Sequence, residues 1–111
     1  MIKILDIENI KIPSINKRYY KNFSLTSEYK NFKKNLFYQF VQCNIQPPYR
    51  VEILVETYLD IDNLLKPIFD TMQDKEIITD DRYILELSIS KTPTKRGAES
   101  KIIIFIESIK N

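Results

Sequence analysis

Apolar and polar residues alternate along three stretches of this chain and recur at helical spacing along two others. Val51, Ile53, Val55, Thr57 and Leu59 face one way and Glu52, Glu56 and Tyr58 the other, which predicts a half-buried strand over 50–59. Tyr83, Leu85, Leu87 and Ile89 predict another alternating strand. Residues 2–12 alternate with a change of phase: Ile2 and Ile4, then Leu5 and Ile7, then Ile10 and Ile12. A bulge near Glu8-Asn9 reconciles the phases. Ile102 to Ile106 is a continuous apolar run and suits a central strand.

Two helices complete the pattern. Tyr29, Phe32, Leu36, Phe40 and Cys43 recur at steps of three and four, the stripe of an amphipathic helix. Thr26 or Ser27 can cap it, Glu28 suits the positive end of its dipole, and Pro47-Pro48 is expected to end it. Residues 62–74 predict a second helix with Leu65, Ile68, Phe69 and Met72 buried; Pro67 is tolerated because it lies near the first turn. Residues 13–25 have no sustained period and read as a long loop. Lys91 to Lys101 reads as a basic hairpin loop holding the only glycine, Gly97. The expected fold class is α+β: a small mixed, largely antiparallel sheet of about four strands with two main helices. With 111 residues, one domain spanning 1–111 can bury a core without staples.

Composition narrows the chemistry. One cysteine, Cys43, forbids an internal disulfide and fits a reducing compartment. It falls on the helical stripe and the chain has no histidine, so it reads as core and not as a nucleophile. The first residues lack a signal-peptide pattern and no apolar run reaches membrane-spanning length, so a soluble, cytoplasmic protein is expected. Charge is uneven: residues 1–50 hold nine Lys/Arg against three Asp/Glu, and residues 51–111 hold eight against twelve. That suggests a basic surface for a polyanion beside an acidic site, against the plainer reading of a solvated basic helix and loop.

The acids are concentrated between Asp60 and Asp81. Asp60, Asp62 and Asp70 are set among Ile, Leu and Phe with Lys66 between them, and Asp80-Asp81 follow ten residues later. Apolar spacing requires the segment to pack, and packed carboxylates repel unless a cation lies between them. One glycine rules out a P-loop or dinucleotide fingerprint, and the lack of histidine rules out a Ser-His-Asp triad and the usual zinc-hydrolase sites. Asp60-x-Asp62-Asn63 opens like a calcium loop, but Leu65 stands where glycine is needed and Thr71 where the bidentate Glu belongs. Oxygen-only metal chemistry remains, with Mg2+ or Mn2+.

A route for the chain follows. A helix from Asp62 of about thirteen residues carries the chain roughly 20 Å away. If 75–80 are extended, they return Asp80-Asp81 to Asp60 and Asp62, which requires the strand at 83–90 to be antiparallel to 51–59. Metal ions held by Asp60, Asp62 and Asp81 would polarise a phosphodiester, activate a water and stabilise the leaving oxygen. Lys66 would point its charge at the same phosphate. The plainer readings are Asp62 as a helix N-cap, Lys66–Asp70 as an exposed i,i+4 pair and Asp80-Asp81 as a turn initiator. Asp70 and Asp80 read as supports at least as readily as ligands.

Asp60-Ile-Asp-Asn-Leu-Leu-Lys-Pro-Ile-Phe-Asp70, followed by Asp80-Asp81 before a strand, resembles the signature of RusA-type Holliday junction resolvases, common in phages and prophages. Pro13-Ser-Ile-Asn-Lys-Arg-Tyr-Tyr20 is similar to that family's N-terminal Pro-Ser-Asn-x-Arg-Tyr segment, so the resemblance covers essentially the whole chain. It implies a homodimeric endonuclease, active in DNA recombination and repair, that resolves four-way junctions by paired symmetric nicks using Mg2+. It places the metal-binding aspartates at Asp60, Asp62 and Asp81 and the essential lysine at Lys66. The strand before Asp60 lacks the arginines that often precede the motif. DNA contacts then fall to Asn16, Lys17, Arg18, Tyr20 and Lys21, and to Lys91, Lys95 and Arg96. Two alternatives are a less selective nuclease of branched DNA and a junction-binding protein with little catalysis.

Overall fold

The computed structural model describes residues 1–13 and 27–109, with the side chain of Asn63 excepted. Six main elements follow one another: β1 (Ile2–Ile10), α1 (Ser27–Gln39), β2 (Tyr49–Thr57), α2 (Asp62–Asp74), β3 (Ile84–Pro93) and β4 (Ser100–Ser108). A single 3-10 turn, Asp81–Tyr83, leads into β3. The strands form one mixed sheet in the order β1-β4-β2-β3. β4 is antiparallel to both β1 and β2, and β3 is parallel to β2. The fold is therefore a small α+β fold with a mostly antiparallel sheet.

The core lies between the helices and one face of the sheet. Tyr49, Val51, Ile53 and Val55 of β2 and Ile102, Ile104 and Ile106 of β4 are buried, as alternation requires. Phe32 and Leu36 of α1 and Leu64, Ile68 and Met72 of α2 belong to the same cluster. In α2 the most buried leucine is Leu64; Leu65 and Phe69, expected in the core, are only partly buried at its margin. β1 is irregular between Lys3 and Leu5 and again between Ile7 and Ile10, where Asn9 takes φ 56°, so the phase changes become bulges.

Three expectations need correction. First, α1 ends at Gln39, well before Pro47-Pro48. The Lys75 ammonium takes the Phe37 and Phe40 carbonyls (2.5 and 2.6 Å), and the Val41 amide bonds to Ile4 of β1 at 2.8 Å. Orphan carbonyls at the helix end thus find a cation and the chain leaves toward the sheet. Second, residues 94–99 are not a hairpin loop: β3 and β4 lie on opposite sides of β2, so this segment crosses the end of β2.

Third, β3 is parallel to β2, not antiparallel. Residues 75–80 do not run back along the helix. Ile77 and Ile78 are buried at the C-terminal end of α2, Glu76 adopts φ 60°, and the Ile77 amide bonds to Met72 at 2.9 Å. The Thr79 amide then donates to the Tyr49 hydroxyl at 3.3 Å, which holds the chain beside the start of β2. β3 therefore begins level with Tyr49, making β2-α2-β3 a parallel crossover unit. The predicted loop at 13–25 lies outside the described residues.

Candidate active site

Asp60 follows the end of β2 and Asp62 is the first residue of α2; both are exposed. Thr57 organises the turn that presents them. Its hydroxyl, fully buried, accepts the Leu59 amide at 3.2 Å and the Ser100 hydroxyl at 2.9 Å. Lys91 reaches from β3 to donate to the Leu59 carbonyl at 2.5 Å. Neither role was assigned from the sequence. A threonine in phase with the apolar face of β2 was the available signal, since a buried hydroxyl must find partners. Lys91 gave no comparable signal, because any basic residue near a strand end reads as a solvent contact.

Asp62 is not the helix N-cap. That position is Ile61, which makes no side-chain cap bond, so Asp62 lies in the first turn where the helix dipole favours an acid. Lys66 is one turn on, exposed, and pairs with Asp70 at 3.7 Å. This exposed i,i+4 pair contributes a few tenths of a kcal/mol at most.

Asp80 and Asp81 lie elsewhere. Asp80 caps the 3-10 turn by accepting the Arg82 amide at 3.0 Å, and the Asp81 amide donates to the Gln73 side chain at 3.1 Å. Gln73 is near the C-terminal end of α2, whereas Asp62 opens it. A thirteen-residue helix is about 20 Å long, so Asp81 is at the far end of the rod from Asp62. The strand tells the same story: Ile84 is level with Tyr49, at the opposite end of β2 from Asp60. Among the described residues no three acidic, Cys or His side chains gather as a metal site. Asp60 and Asp62 share one end of the molecule; one chain does not bring Asp81 to them.

Of the residues expected at DNA, Lys95 and Arg96 are exposed on the 94–99 connection, where Gly97 adopts φ 86°. Lys91 is turned to Leu59. Asn16, Lys17, Arg18, Tyr20 and Lys21 lie outside the described residues. Cys43 is partly buried against the core, and desolvation raises its thiol pKa, which disfavours the thiolate.

Residues 49–107 match the model of the family described as endodeoxyribonuclease RusA. The chain belongs to the RusA endodeoxyribonuclease family. The matched span runs from the first residue of β2 to the second-to-last residue of β4, so it contains Asp60, Asp62, Lys66 and Asp81 together. RusA membership places the chain in a family of endodeoxyribonucleases. A search of curated proteins finds no match. No helix among the described residues is long and apolar enough to cross a membrane.

Proposed function

We propose that this chain is a divalent-metal-dependent endonuclease that resolves four-way (Holliday) DNA junctions by paired nicks, as a homodimer, in recombination and repair. The observation that carries the reading is the RusA match over 49–107, which contains the aspartates and the lysine in order. The donor set adds support: aspartate oxygens without histidine suit Mg2+, with Mn2+ as the near alternative.

Residues from one chain alone do not fit a three-carboxylate metal site, because α2 separates Asp62 from Asp81. The reading therefore requires each site to take Asp60 and Asp62 from one chain and Asp81 from another. A metal held there would supply Lewis-acid stabilisation of charge on the scissile phosphate. Lys66, on the same helical face as Asp62, would hold a phosphate oxygen, exchanging its weak pairing with Asp70 for that contact. Lys95 and Arg96, with the basic residues at 17–21, would follow the DNA backbone.

The test uses a labelled synthetic four-way junction and a linear duplex, each with Mg2+ and with EDTA, read on denaturing gels. Symmetric nicks confined to the junction and lost in EDTA are expected. Cutting of both substrates would favour a less selective nuclease, and binding without cleavage in any metal would sink the enzymatic reading.

A further inference from the structure

The buried residues Tyr29, Phe32 and Leu36 fix which face of α1 meets the core. Lys30, Lys34, Tyr38 and Val41, spaced by four, four and three, therefore fall on the opposite face, and all four are exposed. Tyr38 is 70% exposed, and Phe37 beside it meets its ring edge-on with 6.0 Å between centroids. The acid of α1 is Glu28, in the first turn, so the face from Lys30 to Val41 carries lysine without carboxylate. Lys33, at the flank, is drawn to Asp74 of α2 at 3.7 Å. Lys30 and Lys34 meet no carboxylate among the described residues. The helix-free face of the sheet has the opposite character: Glu52, Glu56, Glu86 and Glu107 project from it, with Arg50 and Lys101 among them. A surface that serves solubility alone intersperses the two signs. Here lysine gathers over α1 and carboxylates gather on the far side of the sheet.

We infer that the solvent face of α1 is a second DNA contact, separate from the acids and from the 94–99 connection, and that it holds the backbone of a duplex arm. Lys30 and Lys34 neutralise successive phosphates, and the Tyr38 hydroxyl donates to a phosphate oxygen while its ring lies against the sugar. The Lys34 ammonium lies 6.0 Å from the centroid of the Tyr38 ring, so charge and hydroxyl reach the same stretch of backbone. The position of α1 suits an arm that leaves the acids. Lys75 takes the Phe37 and Phe40 carbonyls, which sets the last turn of α1 beside the end of α2, and that end carries Asp81 through Gln73. DNA passing Asp81 on the helix side meets α1 next, while the glutamates beneath the sheet repel it from the other side. This inference rests on the nuclease reading for the identity of the polyanion; the sorting of charge across the sheet stands independently.

The experiment measures binding of the full chain to a labelled four-way junction across a salt series in EDTA, where no strand is cut, with circular dichroism as the check on folding. The variants are Lys30→Gln/Lys34→Gln, Tyr38→Phe and, as a control on the helix-free side, Lys3→Gln. Glutamine is a good helix former at exposed positions, so the double variant is expected to keep its spectrum. Its plot of log affinity against log salt is expected to be shallower by about 1.8, the loss of two phosphate contacts. Tyr38→Phe is expected to bind about two- to tenfold more weakly with the slope unchanged, and Lys3→Gln to match the parent. In Mg2+ and at saturating protein, the single-turnover cleavage rate of the double variant is expected to equal the parent's, because α1 holds DNA and does not touch the reacting phosphate. An unchanged slope in the double variant would give this face to a protein partner and overturn the inference, and an equal fall in Lys3→Gln would overturn it as mere net charge. Undiminished affinity in Tyr38→Phe would overturn the hydroxyl contact. A chain that grips junctions through α1 yet cuts in no metal would defeat the nuclease reading alone. A chain that cuts junctions while its α1 variants bind like the parent would defeat the α1 contact alone.

Discussion

The Lys91 ammonium lies 2.5 Å from the Leu59 carbonyl oxygen, which ties edge strand β3 to the turn carrying Asp60. Charged donors make the stronger hydrogen bonds, and this one is partly buried. Lys91→Met should lower stability by about 1–2 kcal/mol and slow junction cleavage severalfold while leaving junction affinity nearly unchanged. Thermal melts and single-turnover cleavage measure the two effects. Unimpaired cleavage in a destabilised variant would show that the tether does not position Asp60.

Asp81→Asn should abolish cleavage and leave junction binding intact or tighter, because it removes a negative charge facing phosphate. Asp60→Asn and Asp62→Asn should behave alike. Mixing the Asp81→Asn chain with an Asp60→Asn/Asp62→Asn chain should restore cutting in part, since a mixed dimer regains one complete set of acids. Equal loss of binding and cleavage in Asp81→Asn would make Asp81 structural, and no recovery on mixing would mean that the acids do not combine across chains.

Thr57→Val keeps the shape of the side chain but strands the Ser100 hydroxyl and the Leu59 amide. A loss of about 1–3 kcal/mol is expected in urea unfolding, with an unchanged m-value. A neutral substitution would mean that water replaces the lost hydroxyl.

Acid should weaken the outer face of the sheet. Arg50 pairs with Glu86 of β3 and with Glu107 of β4, and these bonds hold both glutamates below their ordinary value of 4.5. A carboxyl depressed on folding stabilises the protein above its unfolded pKa, and that stability is lost as pH falls through the folded value. Melting temperature should therefore drop as pH falls below about 4.5, and Arg50→Met should flatten part of the drop. The side chains are substantially exposed and the effect is modest, so high salt should shrink it too. An identical pH profile in Arg50→Met would remove these pairs from the explanation.

Much of the architecture was legible where one face of an element is dry. The alternation of β2 and the apolar centre of β4 announce their buried faces, and the periodicity over 62–74 marks the whole of α2. The direction of β3 was not legible from alternation, because period two is the same whichever way a strand runs. The clue was Ile77-Ile78: two adjacent apolar residues after a helix bury themselves at its end and do not span solvent back to its start. An extended 75–80 would instead return Asp81 to Asp60. The residue types of the candidate site were thus readable from sequence, while their separation by the length of α2 depended on a turn whose chemistry lies in burial and one tyrosine hydroxyl.

Helix α2 acts as a stiff spacer, and stiffness has a consequence for dosage. A lone chain holds Asp62 and Asp81 at opposite ends of this helix. On the two-chain reading, the population of competent nuclease rises with the square of chain concentration while dimers are scarce. Sparse copies would leave DNA intact, and abundance itself would act as the throttle on cutting.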